Sequence, residues 1–326
     1  MKVLVAEQLA TCHAPIAAIG AKKHDSLSSS TNRLLRKVND RPKLNLRDVR
    51  RRFDSAAATF DSADFVHTVT RDGLFARLSP LVMEANTVLD LGSATGSAGK
   101  DLRARFRRAH IISLDISRSM LRQGISKRPR FSFSRSSHVQ ANALSLPLKD
   151  QSVDFVFSNL LLPCTDSPEL VFGEVARVLR KGGVFAFATL GPDSLLEISR
   201  AWSGVDRYIH VNRFLDMHDI GDALVRAGLR DPVLDVDRLA VSYDNPEKLF
   251  ADLTDVGARN ALQQRNRSLV GKHSFREMLS ALTGGDGDAR IGLELELVYG
   301  HCWGGGARID PSNYHIDAAQ IPRRRR

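Results

Sequence analysis

Apolar residues in this chain follow two rhythms, short continuous runs and helical spacings, and the two alternate. The runs predict strands at 87–91, 110–115, 153–159 and 184–189, with a further strand or its approach near 131–140. Between them, apolar positions three and four apart predict helices at 97–105, 119–125 and 168–179. Upstream, Val49, Phe53 and Ala57 recur every fourth residue in a helix starting near Leu46. A second helix over 64–78 places Phe65, Val69, Leu74, Phe75 and Leu78 on its apolar positions and stops before Pro80. Downstream, helices are predicted at 193–202, 216–227, 246–255 and 274–282, and strands at 233–243 and 291–299. Leu293-Glu294-Leu295-Glu296-Leu297 alternates strictly, as a strand with one wet face should. Lys181-Gly182-Gly183 predicts a helix stop, with a cation in the last turn and glycines free to turn the chain.

Strands alternating with helices up to residue 189 predict a parallel sheet covered on both faces, within an α/β, Rossmann-like fold of seven strands preceded by two helices placed to lid its crevice. The pattern divides the chain into a basic, flexible extension over 1–45, a folded unit over 46–303 and a basic, disordered tail over 304–326. Within the folded unit, 46–80 supplies lid helices, 86–190 the ligand-binding half and 191–303 the second half.

Charge modifies this picture only at the ends. The formal net charge is +10, but residues 1–50 and 311–326 together carry +9 of it, leaving the middle nearly neutral. A neutral core with basic ends does not predict a nucleic-acid-reading face, although it suits attraction to an acidic protein. No apolar run reaches the roughly 18–20 residues that span a bilayer, and the start lacks a signal-peptide core. Cys12, Cys164 and Cys302 are widely spaced and form no metal-binding pattern, which predicts a reducing cytoplasm and no metal centre.

The candidate chemistry begins at Val88-Leu89-Asp90-Leu91-Gly92-Ser93-Ala94-Thr95-Gly96, a buried strand running into a glycine-bearing turn. Asp90 falls where the strand ends, at the crevice of a parallel sheet. The run departs from G-x-G-x-x-G, having two glycines and an acidic residue two places before the first. Asp115, nineteen residues after Gly96, ends the second strand, where a carboxylate can accept both ribose hydroxyls of an adenosine. This spacing suits a nucleoside that carries an amino acid, whose ammonium needs acceptors near Asp90.

The pattern resembles motif I of the class I S-adenosylmethionine-dependent methyltransferases. Asn142-Ala143-Leu144 resembles their adenine-contacting loop, Val153 to Asn159 their fourth strand, and Glu174 to Gly183 the helix and turn that follow. The resemblance implies a seven-stranded sheet of that class and S-adenosylmethionine as cofactor. It implies that the loop Asp90, Gly92, Ser93, Ala94 and Gly96 surrounds the methionine part. Asp115 would hold the ribose, and Asn142, Ala143 and Leu144 the adenine, with Ile116, Met120, Asn159 and Leu160 also among the cofactor-binding residues. A closer resemblance covers about 47–303. Phe53 to Asp61, Leu190 to Leu195, Asp216 to Asp222 and Val298 to His301 are similar to segments of the malonyl-acyl-carrier-protein O-methyltransferases of biotin synthesis. These enzymes methylate the free carboxylate of a malonyl thioester on acyl carrier protein, so the resemblance implies that partner.

That chemistry needs no catalytic acid or base, because a carboxylate is already ionised at neutral pH. Phe60, His67, Pro163 and His210 are the expected substrate-side positions. His67, His210 and His218 otherwise read as structural hydrogen-bonding residues, Cys164 as a small buried hydrophobe, and Arg200 and Arg213 as surface ion-pair partners. Three departures from the family stand out: Asn142 replaces an Asp, Phe60 replaces a Tyr, and Pro163-Cys164 replaces a polar residue followed by an aromatic one. The carboxyl-terminal half also resembles assembly factors of respiratory complex I, some of which methylate an arginine of a partner protein. A cofactor-binding module without activity is the third reading.

Overall fold

The structure, a computed structural model, describes residues 43–127, 135–268, 270–284 and 290–305. Almost all of the two basic ends, and residues 131–134 of the expected third strand, therefore lie outside the described residues.

The chain opens with two helices and a short turn of helix between them: α1 (Leu46–Ala56), α2 (Phe60–Ala63) and α3 (Phe65–Leu78). Asn45 starts α1 by accepting hydrogen bonds from the backbone N–H groups of Arg47 and Asp48. The alternating half follows as β1 (Thr87–Leu91), α4 (Gly99–Arg105), β2 (His110–Asp115), α5 (Arg118–Ser126) and β3 (Ser136–Gln140). Then come β4 (Val153–Asn159), α6 (Pro168–Val178), β5 (Leu179–Leu190) and α7 (Leu196–Ser203). The last part is α8 (Met217–Arg226), β6 (Leu229–Tyr243), α9 (Pro246–Asp255), α10 (Lys272–Leu282) and β7 (Ile291–Gly304).

All seven strands form one sheet in the order β3-β2-β1-β4-β5-β7-β6. The first five are parallel, whereas β7 runs antiparallel to both β5 and β6. The parallel sheet expected from the repeated strand–helix units up to residue 189 is present, and β7 departs from it. The physical reason is that α9 and α10 join β6 to β7 without a right-handed crossover, so β7 inserts between β5 and β6 in the opposite sense. Neighbouring strand residues feed opposite cores, as a period of two requires. Val88, Ala186 and Phe157 pack under α3, α4 and α7 through Leu74, Leu102 and Trp202. Leu89, Phe185 and Phe187 pack under α6 and α8 through Phe172 and Ile220. Phe185 and Phe187 stack at 5.0 Å, and each is fully buried, which stabilises the fold by about 1.5–3 kcal/mol per side chain.

Several boundaries shift for local reasons. Lys181-Gly182-Gly183 does not end α6, which stops at Val178. The segment instead forms an irregularity inside β5, where the β4–β5 register slips between Val153 and Phe155. A Cβ on Gly183 would lie 2.7 Å from the Asp154 carbonyl oxygen, so glycine lets the two strands close. The helix expected at 193–202 begins only at Leu196, because Leu195 takes φ +59° and residues 191–194 are tied to β7. Asp193 N–H donates to Glu296 Oε2 (2.9 Å), and Ser194 Oγ accepts from Glu296 N–H (3.0 Å). Among the described residues, no helix is long and apolar enough to cross a membrane.

Gly300, in the middle of β7, tests the tightness of the β5–β7–β6 packing. A Cβ there would meet the Phe187 ring at 2.3 Å and Leu234 at 2.7 Å. Gly300→Ala should lower stability by about 1–3 kcal/mol, read as a lower urea midpoint with an unchanged slope. An unchanged midpoint would mean that the ring can move aside freely.

Candidate active site

At the carboxyl ends of β1, β2 and β4 the chain encloses a cleft of about 740 Å³. Its floor is built by sheet geometry: β1 pairs with β2 on one side and β4 on the other, so the residues that leave these strands converge. Gly92 turns out of β1 at φ +76°, its N–H donating to the Leu114 carbonyl (2.8 Å), and Ser93 N–H donates to the same oxygen (3.0 Å). A Cβ on Gly92 would press on Leu161 at 3.1 Å, so glycine is required both by the turn and by the close approach of the β4 exit. Ala94 sits at φ +45° and brings its backbone over Asp115, whose Oδ2 accepts from Ala94 N–H (2.9 Å).

Gly92, Ala94, Asp115, Ile116, Asn142, Ala143, Leu144, Asn159 and Leu160 line this cleft, together with Phe60 and His67. Asp90 and Ser93 lie buried in the wall immediately beside it. Two expected contacts do not reach it. Gly96 also takes a positive φ (+77°), but it faces a separate surface cavity with Lys100, Arg103 and Lys127. Met120 is fully buried against Ala56, Phe60 and Val256, because the start of α5 leans on the lid helices and not on the cleft. Pro163 and His210 line a second cavity next to the first. There His210 stacks on Trp202 at 3.9 Å and its Nε2 lies 2.9 Å from Asp206 Oδ1, so it has the structural surroundings the sequence suggests.

The electrostatics of the cleft are acidic, with Arg71 offsetting part of the shift at Asp90. Burial pushes Asp90 up to about 7, with the neighbouring Asp115 adding to the shift. Burial likewise raises Asp115 to about 6, against the stabilising N–H groups of Ser117 and Ala94. Among the described residues neither carboxylate has an ion-pair partner. Asp90 Oδ2, Ser93 Oγ, His67 Nδ1 and Asn159 Oδ1 are buried without a hydrogen-bond partner among the described residues. Unsatisfied buried polar atoms are rare in folded proteins. Four of them around one cleft fit a ligand with donors, an ammonium and hydroxyls above all. S-adenosylmethionine has both, so the residues present fit that group. His67 is held neutral, its pKa lowered to about 4 by burial and then by Arg71. Burial raises the Cys164 thiol to about 12, which removes it as a nucleophile. Among the described residues, no cluster of His, Cys, Asp and Glu is arranged to hold a metal ion.

Asn142 uses its amide oxygen to shape its own turn while lining the cleft. Its Oδ1 accepts from Leu144 N–H (3.0 Å) and shapes the 142–145 turn. That turn is fixed from below by a clamp within the segment the sequence had matched to a helix. Glu174 Oε2 accepts from Leu146 N–H (2.6 Å), while Arg177 donates to the carbonyls of Leu146 (2.9 Å) and Leu148 (2.8 Å).

The lid carries contacts that sequence reasoning missed, although their residues lie in the Phe53–Asp61 segment. Asp54 Oδ1 accepts from Ser117 Oγ (2.7 Å) and Ser119 N–H (3.1 Å), tying α1 to the loop after β2. Asp61 Oδ1 accepts from Thr95 Oγ1 (2.5 Å) and pairs with Lys127, tying α2 to the glycine loop. Phe53 and Phe60 hang into the cleft between these two fastenings, Phe60 with its ring edge-on to His67 at 4.9 Å.

Comparison with known proteins agrees with this geometry. Residues 89–187 match the methyltransferase domain family. A malonyl-[acyl-carrier protein] O-methyltransferase of Laribacter hongkongensis is 42% identical over 266 residues, covering 80% of this chain and 90% of the relative. The protein of the same name from Halorhodospira halophila is 35% identical over 293 residues, covering 88% and 99%. Among solved structures, YcgJ of Bacillus subtilis matches with a TM-score of 0.53 at 15% identity, over 71% of this chain and 97% of its own. At that identity the likeness concerns the fold.

The raised Asp90 gives a pH signature. A carboxyl whose folded pKa exceeds its unfolded value favours the fold fully below about pH 4, and that contribution is lost as pH rises towards 7. Asp90→Asn removes this loss, so its stability relative to the parent should rise between pH 4 and 7 and level off above. Urea midpoints of both chains across that range check this, and parallel profiles would show that Asp90 is ionised at no cost.

Proposed function

The chain belongs to the malonyl-[acyl-carrier protein] O-methyltransferase family, and from that premise we propose that it methylates the free carboxylate of a malonyl thioester carried on acyl carrier protein, with S-adenosylmethionine as donor. The breadth of the match carries this reading. The aligned 266 residues extend far beyond the 89–187 of the general methyltransferase domain, so the likeness takes in sequence outside the cofactor half. The named relatives favour this acceptor over the arginine of a partner protein. The orphaned acceptors around the cleft favour an occupied cofactor site over an inactive module.

When bound, S-adenosylmethionine supplies an electrophilic methyl group on a sulfonium. The residues of this chain have three tasks. Asp90, Ser93 and Asn159 offer acceptors to the ammonium end, and Asp115 offers its carboxylate to the ribose hydroxyls. The apolar residues Ile116, Ala143 and Leu144 flank the adenine, and the amide oxygen of Asn142 holds the turn that carries Ala143 and Leu144. Phe53, Phe60 and Leu161 keep water from the meeting point of cofactor and acceptor. No residue need move a proton, since the malonyl carboxylate arrives ionised and alignment does the rest. That agrees with a neutral, inert Cys164 and a neutral His67 in the cleft. Acyl carrier protein as partner and the cytoplasm as compartment follow from the same reading.

The reaction is tested by supplying methyl-labelled cofactor with malonyl-acyl carrier protein. Label should appear as a methyl ester, and the gene should restore growth to a biotin-requiring strain that lacks this step. If no label reaches the malonyl group and growth is not restored, the acceptor is wrong. In a separate measurement, Asp115→Ala should weaken cofactor binding by about 2–4 kcal/mol, the loss of two hydrogen bonds to a charged acceptor, with the fold intact by circular dichroism. Unchanged affinity in calorimetry would place the ribose elsewhere.

A further inference from the structure

Beside the cofactor cleft lies a larger cavity of about 2070 Å³, which shares Val49, Phe53 and Cys164 with it. Its walls are largely apolar, with Trp202, Phe214, Phe250 and Phe275 among them, and no aspartate or glutamate lines it. Three arginines do: Arg52 on α1, and Arg259 and Arg265 on the segment after α9. An apolar chamber with a cationic pole and no acid is shaped for an acyl chain that ends in an anion.

The three cations are not equivalent. Arg265 is already answered, its guanidinium lying 2.6 Å from Asp48 Oδ2 in a largely buried pair. Arg259 stands exposed at the rim. Arg52 is half-buried and donates to the carbonyl oxygen of Arg259, and among the described residues no carboxylate forms an ion pair with it. Its position is fixed by close packing, because a Cβ on Gly257 (φ +71°) would lie 3.1 Å from the Phe53 ring, so glycine lets the 257–265 segment close on α1. Burial, then repulsion from Arg265 and Arg259, lowers the Arg52 guanidinium to about 10, although Asp48 draws it the other way. A half-buried cation repelled by its neighbours gains most from an incoming anion. Arg52 also directly precedes Phe53, one of the residues common to both cavities, so it stands near the passage into the cofactor cleft.

We propose that Arg52, backed by the Arg265–Asp48 pair, is the acceptor-binding residue that receives the malonyl carboxylate in this second cavity and directs it towards the cofactor cleft. The inference rests on the acceptor assigned above. It places the carboxylate, and not a phosphate of the carrier's prosthetic arm, at Arg52, since the arm must run outward past the rim where Arg259 stands. It also separates Arg52 from Arg200, which lines neither cavity, and from Arg213, which lines a smaller neighbouring one.

The test is binding, measured by calorimetry on the full chain loaded with S-adenosylhomocysteine. Malonyl-coenzyme A and its methyl ester share every phosphate and differ only in the free carboxylate. R52Q should weaken malonyl-coenzyme A at least tenfold and leave the ester and S-adenosylhomocysteine within twofold of the parent, while R52K should recover part of the loss. Equal weakening of acid and ester would put the arm phosphates at Arg52, and no weakening of either would leave it without a ligand; each overturns the proposal. Unchanged binding of S-adenosylhomocysteine shows that R52Q is folded. A parent chain that binds the acid but transfers no methyl to it would leave Arg52 in place and overturn the reaction. A parent that binds neither form would overturn both.

Discussion

Two carboxylates, Asp90 and Asp115, are buried at the ends of adjacent parallel strands, and among the described residues no cation is paired to them. Taking an ionised carboxylate out of water without a partner costs several kcal/mol, and a second one nearby adds to the cost. The chain accepts this because the sheet leaves no alternative place for them: β1 and β2 pair residue by residue, so Asp90 and Asp115 must both emerge at the same crevice. Asp115 recovers part of the cost from the N–H groups of Ala94 and Ser117, whereas Asp90 keeps an oxygen without any partner. The strain of the loop, with Gly92, Ala94 and Gly96 all at positive φ, serves the same end by wrapping backbone around the two acids. The site is therefore prepared for a cationic, donor-rich ligand before one arrives.

Such a site needs a cover that holds its geometry, and two acidic residues provide it. Asp54 grips the start of α5 and Asp61 grips Thr95, so the lid helices are fastened to both loops that shape the cleft. Hydrogen bonds to charged groups of this kind contribute about 1.5–3 kcal/mol each. Below the cleft, the Glu174–Arg177 clamp does for the 142–148 segment what the lid does for the glycine loop. Neither device touches a ligand, yet both fix where the ligand's contacts stand.

The elements up to β5 were legible because each follows one period over its full length and is bounded by a turn signal. The cofactor side was legible as well, since Asp90, Gly92 and Asp115 lie on two strand ends a short sequence distance apart. What escaped was of two kinds. The antiparallel course of β7 is set by how α9 and α10 return the chain, and no residue pattern within Leu293–Leu297 encodes direction. Lys181-Gly182-Gly183 reads as a helix stop for the same glycines that the β4–β5 irregularity requires, so the signal was real and its cause different. Met120 was misplaced because helical periodicity gives the buried face of α5 without saying whether a ligand or the lid lies against it. The arginine cluster was invisible for a further reason: Arg52 and Arg265 are joined only by tertiary structure, through Asp48 and the bridge between Leu44 and Leu262.

Taken together, the two cavities divide the charge of the site. One has Asp115 in its lining and Asp90 beside it, neither ion-paired among the described residues; the other is lined by Arg52, Arg259 and Arg265, and Val49, Phe53 and Cys164 stand between them. A cationic donor and an anionic acceptor attract each other in water only weakly, but each is drawn here into its own half and meets the other across an apolar boundary where the dielectric is low. Methyl transfer from a sulfonium to a carboxylate destroys both charges, so a site that merely stabilised them would hold the reactants back. Separating the opposing poles lets the protein bind each ligand through its remote end, the ammonium on one side and one face of the carboxylate on the other. The reacting atoms are then left in surroundings that favour the uncharged products. This accounts for why the residues closest to the boundary are aromatic, aliphatic or a protonated thiol, and why none of them needs to act as an acid or a base.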